Sequence, residues 1–162
     1  MTSVAAHGLQ ATLPPGFEAR IFVRARVGGE RPFPVAHFAT FPLPDAVGDF
    51  GSGAVTLMGP TDVFAVLFEY GPESLGTALF GRQGMVGGLT ADDFRPTVLR
   101  RGIGGQCGTQ WFFTEAGRPF TFYAVLGSQA RRASLVPKVN DLLDGISVAT
   151  AAASGGGGIP WN

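Results

Sequence analysis

The chain is poor in the residues that do most enzyme chemistry. Its 162 residues include one cysteine, Cys107, and two histidines, His7 and His37. One cysteine excludes an internal disulfide. Two distant histidines and one thiol lack the local ligand spacing of a structural zinc site, so no metal is expected. No excess charge of either sign exists, since Lys+Arg and Asp+Glu are both 12. Nothing therefore draws the molecule over long range to nucleic acid or acidic lipid. Lys138 is the single lysine; arginine supplies the rest of the positive charge. The longest apolar run, Val63 to Phe68, falls far short of the ~20 residues of a membrane helix. The first residues show neither a basic n-region nor an adequate apolar h-region. A soluble cytoplasmic protein without signal peptide or cofactor is the expectation.

What is present is hydrophobic patterning. A content of 45% apolar residues in this length suits one domain, over 1–149. Residues 106 to 126 form two aromatic and β-branched runs around Ala116-Gly117-Arg118, a hairpin signal. In the second run Phe120, Phe122, Ala124 and Leu126 share one face by the two-residue period. The period then changes: Leu135, Val139, Leu142, Leu143 and Ile146 form the stripe of an amphipathic helix. Ser134 suits its N-cap, Pro137 its first turn and Gly145 its C′ position. A closing strand follows, Ile146 to Ala149.

Earlier in the chain, 7–13 reads as a short first strand ending at Pro14-Pro15-Gly16. Ala19, Ile21, Val23, Ala25 and Val27 alternate with Arg20, Phe22, Arg24 and Arg26, and Pro34 to Phe41 reads as the return strand. Asp62 to Tyr70, with six consecutive apolar residues, reads as a central strand covered on both faces. The helix covers one face; a loop layer or another subunit covers the other. The stretch 71–105 holds nine glycines, so regular structure is sparse there, apart from a short helix starting at Thr90-Ala91-Asp92-Asp93. Long loops of this kind are often binding surfaces. The fold class is α+β: a single antiparallel sheet, a C-terminal helix on one face, and short helices in the Gly-rich middle. Residues 150–162 form a flexible Ala/Gly-rich tail ending Ile159-Pro160-Trp161-Asn162.

The order of elements resembles the PsbP-like and DcrB-like small α+β domains. The resemblance is carried by Gly8-Leu9 through Leu13-Pro14-Pro15-Gly16-Phe17. It extends by order alone to the Phe120–Leu126 strand and the Leu135–Leu143 helix, covering most of 7–149. It implies a binding role of adaptor, chaperone or assembly type, and no site residues.

Three functional readings follow. The first is a non-enzymatic interaction or assembly module that docks to a protein partner, or to itself, through its loop face and tail. Its contact residues are Ile159, Pro160 and Trp161, with the Arg20, Arg24 and Arg26 face as a second patch. That arginine face is otherwise a solvated surface paired with neighbouring acids. The second reading is a cysteine-dependent enzyme in which His37 activates Cys107, with Asp45 or Glu69 as orienter. The third is a small-molecule carrier with a pocket between helix and sheet, lined by Phe112, Phe120 and Phe122.

Overall fold

The computed structural model describes residues 2–23, 33–45, 50–51 and 53–150. Among these residues eight strands and one α-helix follow in the order β1 (Thr2–Ala6), β2 (Leu9–Leu13), β3 (Glu18–Val23), β4 (Pro34–Ala39), β5 (Val63–Glu69), β6 (Cys107–Glu115), β7 (Arg118–Leu126), α1 (Arg132–Asp144) and β8 (Ile146–Val148). The strands form two antiparallel sheets rather than the single one expected. A large sheet has the order β3-β4-β5-β7-β6, and a small one the order β1-β2-β8. The break falls at Pro14-Pro15-Gly16, where the prolines offer no ladder donor and Gly16 takes φ +86°. There β2 leaves the plane of the large sheet, and the closing strand pairs with β2 instead of extending that sheet.

Both tight hairpins use the same turn. His7 and Gly8 (φ 54° and 78°) join β1 to β2, and Ala116 and Gly117 (φ 54° and 74°) join β6 to β7. Two consecutive positive φ values make the primed turn whose twist matches its strands. Residues 7–13 are therefore not one strand: His7 and Gly8 turn, and an additional strand, β1, precedes them. Of the first arginine-rich strand, Glu18 to Val23 is β3; Ala25 and Val27 lie outside the described residues.

As expected, β5 is the middle strand of five, and it is buried along its whole length. On the helix side, Val63, Ala65 and Leu67 join Ala36, Phe38, Phe120, Phe122, Ala124 and Leu126 in one core. Leu135, Val136, Val139, Leu142 and Leu143 of α1 close that core, with Leu9, Ala11 and Leu13 of the small sheet. On the other side, Phe64, Val66, Phe68, Tyr123 and Val125 make a second core. Its cover is a loop layer, in which Phe41, Phe50, Val55, Leu99 and Ile103 pack from irregular segments. Phe50 stacks on Phe68 with centroids 5.0 Å apart, and the Arg100 guanidinium lies 3.6 Å above Phe50.

The helix ends differ from expectation. Arg131, not Ser134, is the N-cap residue; the Ser134 hydroxyl donates to the Arg131 carbonyl at 2.8 Å inside the first turn. Pro137 consequently sits well inside the helix. Gly145 follows the last turn but is right-handed, φ −88°. Glycine is required there by proximity, because a Cβ would run into the Thr12 carbonyl. The backbone N–H of Thr12 donates to Gly145 O at 2.9 Å, holding helix end and small sheet together.

One side chain joins the two sheets. The Arg118 guanidinium donates to both carboxylate oxygens of Glu69 at 2.9 and 2.7 Å. It also donates to the carbonyls of His7 (3.1 Å), Gly8 (3.4 Å) and Ala149 (3.1 Å). The pair is 4% and 7% exposed.

Candidate functional site: an open stretch of sheet edge

The middle segment 71–105 contains short 3-10 turns, at Pro72–Ser74, Ala78–Phe80, Ala91–Asp93 and Pro96–Val98. The turn foreseen at Thr90 forms, its N–H donating to the Asp93 carboxylate at 2.8 Å. This segment runs beside β6, an edge strand of the large sheet, and touches its backbone at two points. At one end Thr114 N–H donates to Arg82 O, and Gly84 N–H to Thr114 O, each at 2.8 Å. At the other, Arg95 and Gly108 exchange both backbone bonds at 2.8 and 3.0 Å. Between these clasps the loop leaves the sheet plane. Val86, Leu89 and Phe94 drop into the helix-side core, and the Asn140 side chain of α1 holds both backbone groups of Leu89 at 2.9 Å.

The register defines what the clasps leave between them. β6 pairs with β7 without a bulge from Cys107↔Leu126 to Glu115↔Arg118. Antiparallel strands point alternate residues' backbone groups to alternate sides. Since the backbone groups of Gly108 and Thr114 point outward, so do those of Gln110 and Phe112. Among the described residues nothing hydrogen-bonds the outward N–H or C=O of either. That leaves four backbone groups on a two-residue window of sheet edge.

The side chains around the window are large and half-buried. Gln110, Trp111 and Phe112 are all partly exposed, whereas their neighbours Thr109 and Phe113 are buried. Trp111 lies on the helix side with its indole N–H on Thr109 Oγ1 at 2.8 Å and the Arg82 guanidinium 5.1 Å over its ring. Phe112 lies on the loop side against Phe80 (5.6 Å) and Tyr70 (6.3 Å). Nearby, Leu79 is 58% exposed.

The candidates read from the sequence fare differently. Cys107 and His37 are not brought together. Cys107 is on β6 and faces the helix side; His37 is on β4 and faces the loop side, between Phe22 and Phe64 at 4.9 and 5.4 Å. Three strand spacings separate them, about 14 Å. Burial pushes the Cys107 thiol above its ordinary value of 9.0, the nearby Arg132 charge offsetting part of that. A thiol so placed is a packing group. Of the proposed orienters, Glu69 is committed to Arg118. Phe120 and Phe122 are close-packed on the helix side while Phe112 faces the other way, so the three share no cavity. Arg20 donates to the Pro44 carbonyl at 2.8 Å. Arg24, Arg26, Ile159, Pro160 and Trp161 lie outside the described residues.

A shallow depression of about 740 Å³ at the start of α1 is lined by Ala91, Gly105, Gln129 and Arg132. The Arg132 guanidinium there donates to Phe94 O at 3.3 Å. Among the described residues no three His, Cys, Asp or Glu side chains are grouped to hold a metal ion. No helix among them is long and apolar enough to cross a membrane. The sequence signal for the β6 window was slight: an aromatic pair, Trp111-Phe112, in a strand whose edge position only the topology reveals. No family model, curated protein or solved structure matches the chain.

Proposed function

We propose that the protein is a non-enzymatic interaction module that takes an extended segment of a protein partner as an added strand on β6. The observation that carries this reading is the pair of outward-facing residues, Gln110 and Phe112, left between two backbone clasps. Added strands bind through main-chain hydrogen bonds and draw specificity from alternate side chains. The half-buried Trp111 and Phe112 provide an apolar surface on each side of the window for those side chains. Exposed sheet edges are usually covered or interrupted, because a free edge pairs with other chains. Among the described residues the cover lies at the two ends, which limits an added strand to a short stretch. The loop face foreseen from the Gly-rich middle is thus narrowed to the edge that this segment frames. An adaptor or assembly role, as the PsbP-like and DcrB-like resemblance implies, is compatible with such a site.

The test is selection of short peptides from a display library against the folded chain, followed by amide chemical-shift mapping. Shifts centred on Gln110, Trp111 and Phe112 are expected. Shifts centred on the depression at Gly105 and Gln129, with β6 unmoved, would overturn the reading.

A further inference from the structure

We infer that the partner segment taken by the β6 window is acidic and runs antiparallel to β6 in the order apolar, acid, acid. This rests on the strand-addition reading above and gives its partner a chemistry.

Main-chain bonds alone cannot select a partner, because every extended segment offers the same N–H and C=O groups. Selection falls to the side chains beside the window. The free charges there are of one sign. Each clasp brings an arginine to one end of the window, Arg82 at the first and Arg95 at the second. Both are exposed, and among the described residues neither is ion-paired with a carboxylate. The acids of the same segment lie elsewhere. Asp92 and Asp93 belong to the short turn that packs on α1, and the Asp93 carboxylate accepts from Thr90 N–H. Glu115, the one acid of β6, lies beyond the first clasp, on the far side of Thr114 from the window.

Register assigns each arginine to a face. Gln83 pairs with Thr114 in parallel, so Arg82 stands opposite Phe113 and on the helix side, where its guanidinium lies over the Trp111 ring. Arg95 pairs with Gly108, and opposed residues share a face, so Arg95 is on the loop side with Gln110 and Phe112.

The size of the window sets the direction of the segment. In an antiparallel ladder each bonded pair exchanges two hydrogen bonds, so two partner residues satisfy the groups of both Gln110 and Phe112. A parallel segment would bond each of them to two different residues and would need the place opposite Phe113, which Arg82 fills. Read from its N-terminal end, the antiparallel segment first stands opposite Phe112, where an apolar side chain meets the Phe112 and Phe80 rings. Its next residue stands opposite Trp111 on the helix side. A glutamate there lays its methylenes along the indole and brings its carboxylate to Arg82. The third residue stands opposite Gln110 on the loop side, where a second carboxylate meets Arg95. A basic segment would place like charges together at both ends.

The experiment titrates the full chain with short capped peptides carrying Leu-Glu-Glu, Leu-Gln-Gln or Leu-Lys-Lys between serines, and follows the Gln110 and Phe112 amides by NMR. An exposed ion pair contributes about two- to fivefold in affinity, so Leu-Glu-Glu is expected to bind about tenfold more tightly than Leu-Gln-Gln, with Leu-Lys-Lys weakest. The advantage should shrink at high salt. It should vanish in the chain carrying Arg82→Gln and Arg95→Gln, whose clasps persist because they are made by backbone groups. Equal binding of the three peptides overturns the inference, as does a preference for Leu-Glu-Glu that survives the double substitution. Library-selected peptides separate the two readings. If they move Gln110 and Phe112 without enrichment in acids, strand addition stands and the acidic partner fails. If neither they nor Leu-Glu-Glu move these amides, both fail.

Discussion

The five-stranded sheet is buried on both faces, but by covers of different kinds. On the helix side, α1 and the small sheet present repeating aliphatic side chains, and Arg118 fastens the small sheet to the large one. On the loop side the cover is a patchwork of aromatic contacts from segments without regular structure, such as Phe50 on Phe68 beneath Arg100. The first cover is cooperative, because α1 and the small sheet pack into one core and are tied by the Thr12–Gly145 backbone bond. The second consists of contacts that can fail one at a time. The β6 window lies where these two covers meet the edge of the sheet, and belongs to neither.

The largest effect that tests this contrast is at Arg118. Arg118→Met leaves the Glu69 carboxylate buried without its partner and should cost about 3–5 kcal/mol in urea unfolding. Arg118→Met combined with Glu69→Leu should recover most of that loss. If the single substitution costs less than about 1 kcal/mol, the two sheets are not held together by this pair.

Next in size is a matched truncation on each side. Leu142→Ala opens a cavity beneath the helix, for which about 2–5 kcal/mol is expected. Phe50→Ala removes a half-buried ring from the loop layer and should cost about 1–2 kcal/mol. Equal losses would mean that the loop layer is as tightly coupled to the sheet as the helix is.

Titration sharpens the comparison, since on each side burial raises the pKa of one weak acid. Burial raises Cys107 above 9.0 on the helix side and Tyr123 above 10.0 on the loop side. For Tyr123 the N–H of Arg100 on its hydroxyl (2.9 Å) and the Arg100 charge work against that rise. In both cases the native state holds its proton longer than the unfolded chain does. The contribution to stability is fully present below the unfolded value and is lost as pH rises through it toward the folded value. Urea midpoints should therefore fall near pH 9 as unfolded cysteine ionises, and fall again near pH 10 with tyrosine. Cys107→Ala should remove the first decline and Tyr123→Phe the second. A first decline without a second would show that the loop layer lets water reach Tyr123.

The two covers also differ in how far they were legible in the sequence. The strand Phe120 to Leu126 and the stripe Leu135, Val139, Leu142, Leu143 could be read because each packs against a regular element, whose period is imprinted on it. A loop layer was one of two covers expected for the other face, but its residues were not legible, since Phe50, Val55 and Leu99 come from stretches with no period, and Phe41, read as part of the return strand, lies just past the end of β4. β1 was missed because Thr2 to Ala6 is a run of small residues with Val4 its one larger apolar side chain, too short a signal for a strand that pairs along five residues with β2. Arg118 reads locally as a turn residue; it becomes a buried cross-link only where the two sheets converge. The β6 window was least accessible of all. Which backbone groups point outward depends on the pairing with β7 and on distant clasps at Arg82–Gly84 and Arg95. Side-chain identity carries no direct record of either. The Cys107–His37 pair failed for a related reason: composition counts residues, whereas the sheet sorts them onto opposite faces.

The smallest predicted effect lies at the turn joining β6 to β7, which sets the register of the window. Ala116 occupies the left-handed region at φ 54°, where its Cβ crowds the backbone at a cost of about 1 kcal/mol. Ala116→Asn keeps a side chain but suits the first position of this turn, as in the Asn-Gly pairs that favour such hairpins. It should raise the unfolding free energy by about 0.5–1 kcal/mol, or a few degrees in Tm for a chain of this length. Because β6 and β7 keep their pairing, exchange at the outward amides of Gln110 and Phe112 should respond only to what occupies the edge. If Ala116→Asn instead changed exchange at those two amides while Tm stayed constant, the hairpin would have a second register. The window would then be a property of one register among two, rather than of the fold.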